Sequence, residues 1–355
     1  MWNNIFLMKK KLVIVTNEKF FNSDGKFSCN NIAEKSLPDE LSNNFKIEII
    51  GRKSQIKQAH QLETKSINIY SNIFSYILRI FKERNKNDSV YLILSITPLT
   101  FLSACILIFF NKKIFTYLRS NGHEEYKKII GSIGSTIYNI MFNYISKKSI
   151  LISCRKHILM EKKGFVVQPS ELNDNWIKNA FEKTIDNINL LYIGRVKVEK
   201  GIYSLDNLLV SLNSNIFLTI VGSNQEHKKL KYKKIKMYSI ETDQQKLINF
   251  YDKCDVFILP SFTEGHPMVL LEALSRLRPI IIFRDIEHIV GNKKGIFVSE
   301  RNPENFLKTL NLIKQNYNMI QKEMKLNILP KKKDFIHSFS KIVDNEILKE
   351  RWPSG

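Results

Sequence analysis

The chain has 355 residues, with 55 Lys and Arg against 34 Asp and Glu, a formal charge of +21. That length suits two domains, each able to bury a core, and the charge points to anionic partners: nucleotide phosphates, acidic lipids or nucleic acid. Cys29, Cys105, Cys154 and Cys254 stand apart, without a Cys-x-x-Cys pair or a histidine at ligand spacing. Neither a zinc site nor a disulfide framework is indicated, and a reducing cytoplasm is the default.

Met1 to Met8 do not make a secretory signal, because the basic cluster Lys9 to Lys11 follows the few apolar residues instead of preceding a long run of them. Met8 is an alternative start. Leu12 to Thr16 reads as a buried strand, followed by a polar loop, Asn17 to Asn30, in which Gly25 is a turn glycine or a ligand contact. Phe45 to Ile50 gives a second strand, and Ile67 to Arg84 a strand running into an amphipathic helix. No charge occurs from Val90 to Phe110, which by length alone would qualify as a membrane span. Pro98 divides it into a strand, Val90 to Ser95, and a helix, Leu99 to Phe110; with the strand Ile114 to Leu118 this makes a buried βαβ unit.

His123 follows that last strand, where it is either a solvated loop histidine or a ring that reaches a ligand. The next helix repeats apolar residues at Ile130, Ile133, Ile137, Ile140, Met141 and Tyr144, with Lys127, Lys128, Lys147 and Lys148 at its ends. The pattern predicts a core-facing helix with solvated termini, the alternative being part of a basic surface on anionic lipid. Ser149 to Ser153 is a further strand, and the polar stretch Val166 to Asp186 links the domains. Beyond it, Leu190 to Ile193 is a strand, Gly194 permits close backbone approach, and Arg195 and Lys200 flank the loop before a helix from Ile202. Two cations at a strand-to-helix turn suit a diphosphate. Phe217 to Val221 is a strand ending in Gly222 and Ser223, and Asp243 to Tyr251 is a helix.

The stretch Cys254 to Phe283 then reads as strand, loop, helix and strand, a βαβ unit of a parallel sheet whose ligands sit beyond the carboxyl ends of the strands. Glu264 lies in its loop and Glu272 in its helix, seven residues between them. Pro267 fits the first helical turn, so the helix starts beside Gly265 and His266 with free N–H groups toward the crevice, an anion site flanked by carboxylates. Such a site suits a sugar nucleotide, although a helix start with a loop glutamate and a surface glutamate reads equally from local physics.

The segment PSFTEGHPMVLLEAL resembles the Glu-x7-Glu signature of the retaining GT-B glycosyltransferases, in particular glycosyltransferase family 4, and Gly194 to Gly201 resembles that family's Gly-Arg-x4-Lys-Gly motif. One departure is Leu277, where such sequences usually carry a glycine. The resemblance implies an α/β GT-B architecture, two Rossmann-like doubly wound domains facing a cleft. They are an acceptor domain over 8–170 and a donor domain over 187–325, with a C-terminal helix in 326–355 returning to the first domain. It further implies that Arg195, Lys200, Gly265, His266, Pro267, Met268 and Val269 hold a diphosphate and that Glu272 binds ribose hydroxyls. Glu264 then acts on the transferred sugar, His123 is a cleft histidine, and no metal is needed. The donor is a UDP- or GDP-sugar, without another cofactor. The acceptor is a glycan or lipid-linked glycan of a bacterial surface polysaccharide, handled by a cytoplasmic protein whose basic surface meets the anionic cytoplasmic face of the inner membrane. Three other readings stay open: a nucleotide-sugar epimerase, a non-catalytic scaffold, and a nucleic-acid binder. For the last, no RNA-recognition or zinc-finger motif occurs.

Overall fold

The computed structural model describes residues 9–185, 188–212, 215–222 and 230–349. Met1 to Met8 and Ser223 lie outside them. The chain divides into two compact units, Met1–Gln168 with Lys333–Gly355, and Pro169–Lys332.

In the first unit the strands are β1 (Lys11–Ser23), β2 (Lys26–Cys29), β3 (Lys46–Lys53), β4 (His60–Gln61), β5 (Ile67–Tyr70), β6 (Ser89–Leu94), β7 (Ile114–Leu118), β8 (Ile150–Ser153) and β9 (Phe165–Val166). Its helices are α1 (Ile32–Leu41), α2 (Ile73–Lys82), α3 (Pro98–Phe109), α4 (Gly122–Ile130) and α5 (Ser132–Ser146). The parallel strands run β5-β3-β1-β6-β7-β8-β9, a doubly wound order that reverses between β1 and β6. Along β1, Leu12 and Ile14 enter one core while Val13 and Val15 enter the other, which is why the strand reads as an unbroken apolar run. Pro98 opens α3 behind the N-cap Thr97, and Thr97 and Thr100 form a reciprocal capping box.

Two expectations change here. The stretch after Thr16 is no loop: β1 continues to Ser23 and turns back on β2 through Asp24 and Gly25, both at positive φ, 53° and 78°. Asp-Gly meets the left-handed demand of a two-residue hairpin, so Gly25 is a turn residue there. Nor is the Ile130 to Tyr144 stripe core-facing. Gly131, at φ 72°, separates α4 from α5, and α5 turns Gly134, Tyr138, Met141, Phe142 and Ile145 inward. Ile130, Ile133, Ile137, Ile140 and Tyr144 are exposed, and of the predicted stripe only Met141 is buried. The helix carries two apolar stripes, and periodicity alone does not say which one is covered.

The second unit holds α6 (Asp174–Ile177), β10 (Ile188–Ile193), α7 (Ile202–Ser211), β11 (Ile216–Val221), β12 (Ile235–Tyr238), α8 (Gln244–Lys253), β13 (Val256–Leu259), α9 (Met268–Ser275), β14 (Ile280–Phe283), β15 (Ile296–Ser299), α10 (Pro303–Gln315) and α11 (Tyr317–Met324). Its sheet is parallel in the order β12-β11-β10-β13-β14-β15, reversing between β10 and β13. A last helix, α12 (Lys332–Lys349), places Phe335, Phe339, Val343 and Ile347, four residues apart, in the core of the first unit with Leu37, Leu41, Leu12 and Ile14. Among the described residues no helix is long and apolar enough to cross a membrane.

Candidate active site

In the second unit the sheet order reverses between β10 and β13, and ligands of open α/β sheets lie outside the strand ends at such a point. Both strand ends are built for close approach. A β-carbon on Gly222 would lie 2.5 Å from the carbonyl oxygen of Gly194, so β10 and β11 end in backbone contact. After β10 a short turn, Val198–Lys200, leads to Gly201 at φ 67°, and a β-carbon there would fall 1.8 Å from the Pro260 oxygen at the end of β13. The Phe262 amide donates to the Glu199 carbonyl at 3.0 Å, joining the two loops.

This junction brings Lys200 to Glu264. Lys200 Nζ lies 2.6 Å from Glu264 Oε1, and Ser261 Oγ donates to the same oxygen at 2.6 Å. His288 Nε2 donates to the Glu264 carbonyl at 3.0 Å, since a carbonyl only accepts. Arg301 fastens the loop from beneath. Its Nη2 donates to the Pro260 and Ser261 carbonyls at 2.7 and 3.0 Å, Nε pairs with Asp285, and the guanidinium stacks between Phe262 and Phe283. His288 and Arg301 carried no sequence signal, because each acts through a contact across loops, whereas Ser261 stands three residues before Glu264 within the motif itself.

Pro267 is the N-cap of α9, extended at ψ 114°, and not part of the first turn as expected; the helix starts at Met268. The restriction on φ suits either place, but a cap residue keeps extended ψ. Gly265 and His266 therefore lead directly to the cap, and Met268 and Val269 open the turn whose N–H groups lack intrahelical acceptors. His266 Nε2 donates to the Pro169 carbonyl at 2.7 Å.

One turn on, Glu272 accepts the Tyr251 hydroxyl at 2.7 Å. Part of its side chain is accessible, yet the carboxyl sits in a densely packed setting: burial pushes its pKa up to about 7, the Tyr251 bond opposes the rise and the Glu171 charge adds to it. Burial also holds the Tyr251 hydroxyl well above its ordinary range. Arg195 is exposed at the end of β10, its carbonyl accepting from Tyr192 at 2.8 Å. His123 belongs to the first unit, in the first turn of α4, its ring edge-on to Tyr138 and Phe142 at 4.7 and 5.5 Å. Its Nε2 is buried without a hydrogen bond among the described residues, and burial lowers its pKa.

Leu277 keeps the glycine geometry, at φ 57°, while its side chain is buried and its carbonyl accepts from Gln321 at 2.9 Å. Its neighbours Arg276 and Arg278 are buried too, and together bind the carbonyls of Trp176, Lys178, Asn179 and Phe181 and the carboxylate of Asp252. They clamp the 176–181 segment to the end of α9.

Residues 173–327 match the family model described as Glycosyl transferases group 1. The chain is 25% identical over 153 residues to a capsular polysaccharide biosynthesis glycosyltransferase, CapM, of Staphylococcus aureus, covering 39% of this chain and 40% of that one. It is 25% identical over 276 residues, 73% of this chain and 74% of that one, to the Campylobacter jejuni GalNAc-alpha-(1->4)-GalNAc-alpha-(1->3)-diNAcBac-PP-undecaprenol alpha-1,4-N-acetyl-D-galactosaminyltransferase. For three such curated relatives the match spans only 29–42% of their length. Among solved structures, sucrose-phosphate synthase from Thermosynechococcus elongatus superposes with a TM-score of 0.68 at 11% identity over 96% of this chain and 100% of that one. HepE from Anabaena in complex with UDP-glucose superposes at 0.64, with 9% identity over 96% of this chain and 100% of that one. Residues 173–327 are thus matched to the glycosyl transferases group 1 family, and the chain has the two-domain GT-B fold.

Proposed function

We propose that this protein is a retaining glycosyltransferase of family 4 that moves a sugar from a UDP- or GDP-sugar to a glycan or lipid-linked glycan acceptor. The pathway is assembly of a bacterial surface polysaccharide, whether lipopolysaccharide, O-antigen or capsule. The observation that carries the reading is the Lys200–Glu264–Ser261 cluster at the switch point of a parallel sheet, directly before the start of α9. A uridine donor has further support in the UDP-glucose complex of HepE, and a polysaccharide acceptor in the names of the CapM and Campylobacter relatives.

The donor's diphosphate lies against Arg195, Lys200 and the amides opening α9, from Gly265 to Val269. An ammonium has three donors, so Lys200 can keep Glu264 and still take a phosphate oxygen. As the bond between the anomeric carbon and the phosphate oxygen breaks, these groups stabilise the charge gathering on the leaving nucleotide, the task a metal would otherwise serve. Glu264 accepts hydroxyls of the transferred sugar and sets its charge against the oxocarbenium-like centre. Glu272 accepts ribose hydroxyls; the acceptor oxygen bonds to the anomeric carbon as the phosphate bond breaks, its proton leaves with the departing diphosphate, and His123 hydrogen-bonds the acceptor hydroxyl. The protein works in the cytoplasm, peripheral on the inner membrane where a lipid-linked acceptor resides.

The test is thermal shift of the purified protein with UDP-, GDP-, ADP- and CMP-sugars, with Arg195→Ala and Lys200→Ala alongside. Stabilisation follows the logarithm of ligand concentration over Kd. A shift with one nucleotide class, lost in both variants, supports the assignment; a cooperative melt that no sugar nucleotide moves overturns it. Product formed from donor without acceptor would identify an epimerase.

A further inference from the structure

Arg276 and Arg278, at the end of α9, are 2% and 0% exposed, and the carboxylate of Asp252 is a counter-ion they share. Arg276 uses every N–H of its guanidinium. Nε and Nη2 fork onto the two oxygens of Asp252 at 2.8 Å each, Nη1 donates to the Trp176 and Lys178 carbonyls at 3.0 and 2.9 Å, and Nη2 also donates to the Asn179 carbonyl at 3.1 Å. Arg278 Nε donates to the Tyr251 carbonyl at 2.9 Å and its Nη2 to the Asp252 carbonyl at 3.2 Å. Burying two guanidinium ions is costly, and apolar side chains of similar volume often hold a helix end as firmly. What a saturated fork supplies is direction, because a bidentate pair fixes distance and angle together.

The groups that the two arginines grip surround Tyr251, which is itself buried in the last turn of α8. Arg278 holds its carbonyl, both arginines hold Asp252 beside it, and its ring meets Trp176 edge-on at 5.6 Å, whose carbonyl Arg276 holds. Its hydroxyl donates to Glu272 at 2.7 Å. Glu272 in turn stands one helical turn before Arg276, its carbonyl accepting the Arg276 amide at 3.2 Å. A closed ring therefore runs from Glu272 along α9 to Arg276, across to Asp252, and through Tyr251 back to Glu272. The other charged group acting on the Glu272 carboxyl is Glu171, ahead of α6, which pairs with Lys332 at 3.7 Å.

We propose that Arg276, acting through Asp252, is a positioning residue: it fixes α8 against α9 so that the Tyr251 hydroxyl stays on the Glu272 carboxyl and orients it for the donor's ribose. Arg278 and Trp176 complete the hold on Tyr251. For the donor, the inference rests on the ribose contact of the proposed function. The hold on the carboxyl does not, and it is read without any ligand.

The test is titration of Glu272 by NMR in protein carrying isotope-labelled glutamate, the resonance being assigned by its loss in E272Q. Two variants separate position from charge. R276K keeps the cation, but an ammonium cannot fork. D252N, at a partly exposed site, keeps the shape and removes an anion, which by charge alone would ease ionisation of Glu272. Loosening the Tyr251 bond acts the other way. Both variants should raise the proton affinity of Glu272 at least about threefold, toward the roughly tenfold of Y251F. In a Y251F background neither should add anything, because no hydroxyl is left to place. Near the Glu272 midpoint of about 7, calorimetry with UDP and GDP should show affinity lowered by up to about fivefold in the same variants, as the ionised fraction falls. A midpoint unchanged or lowered in R276K and D252N, a shift that persists in the Y251F background, or a Y251F midpoint equal to wild type would each overturn the inference. Nucleotide affinity unchanged in E272Q, with the NMR shifts as expected, would remove the ribose contact and leave the positioning of the carboxyl standing.

Discussion

Gly201 rests on the carbonyl of Pro260 so closely that a β-carbon would stand 1.8 Å from the oxygen. The contact spans two loops that start on different strands, and Lys200 and Glu264 lie on either side of it. At φ 67° the residue is also left-handed, so any side chain would be strained before it clashed. Gly201→Ala should cost about 2–4 kcal/mol. Chemical denaturation checks this, and a midpoint equal to wild type would mean the loops can part freely.

Lys200→Ala should act on both stability and donor binding. Glu264 is largely buried, and removing its cation leaves a carboxylate to which Ser261 still donates. A loss of about 2 kcal/mol is expected, below the full cost of breaking a buried pair because Lys200 keeps some solvent access. Arg195→Ala, at an exposed site, should weaken donor binding and leave the melt unchanged. Calorimetry of both variants against the responding sugar nucleotide separates the two cations; equal melts for both would contradict the pairing.

The raised pKa of Glu272 gives a signed pH dependence. Its folded value, about 7, lies above the ordinary 4.5, so the native state holds a proton that the unfolded chain releases. Stability from this group is complete below about pH 4.5 and is lost as pH rises through 7. The melting temperature of Glu272→Gln should therefore gain on wild type between about pH 5 and 8. Ribose hydroxyls favour the carboxylate, so nucleotide affinity should fall by up to about tenfold per pH unit below 7 in wild type and stay flat in the variant. Tyr251→Phe removes the donor that opposes the shift and should move the affinity midpoint upward. A wild-type profile as flat as that of the variant would show that the carboxyl does not titrate there.

Leu277→Gly weighs two opposed effects. Relief of a left-handed leucine is worth roughly 1 kcal/mol, while losing a buried leucine side chain costs about 2–5 kcal/mol. The variant should thus be less stable despite restoring the usual glycine. A higher denaturation midpoint would mean that strain, not packing, dominates the turn.

Much of this was legible in the residues. Pro98 divided an apolar run long enough to suggest a membrane span into β6 and α3, because proline starts helices and cannot continue them. The βαβ around Glu264 and Glu272 follows from run lengths and loop chemistry. Contacts distant in sequence were not legible. Arg301 is 40 residues from the Ser261 carbonyl that it binds, and Tyr251 is 21 from Glu272. The Asp24–Gly25 turn was a readable hairpin signal that the polar composition around it obscured. On α5 the covered stripe is chosen by Gly131, which resets the helix phase after α4.

The helix α12 supplies Phe335, Phe339, Val343 and Ile347 to a core begun at Leu12. The second unit, by contrast, is one unbroken segment, Pro169–Lys332. On the ribosome, then, the unit encoded second can close first, while the unit encoded first waits with an open apolar sheet face for the last residues to emerge. A premature stop after Lys332 would leave a finished second unit tethered to an unfinished first one, and the damage would lie at the opposite end of the chain from the stop codon.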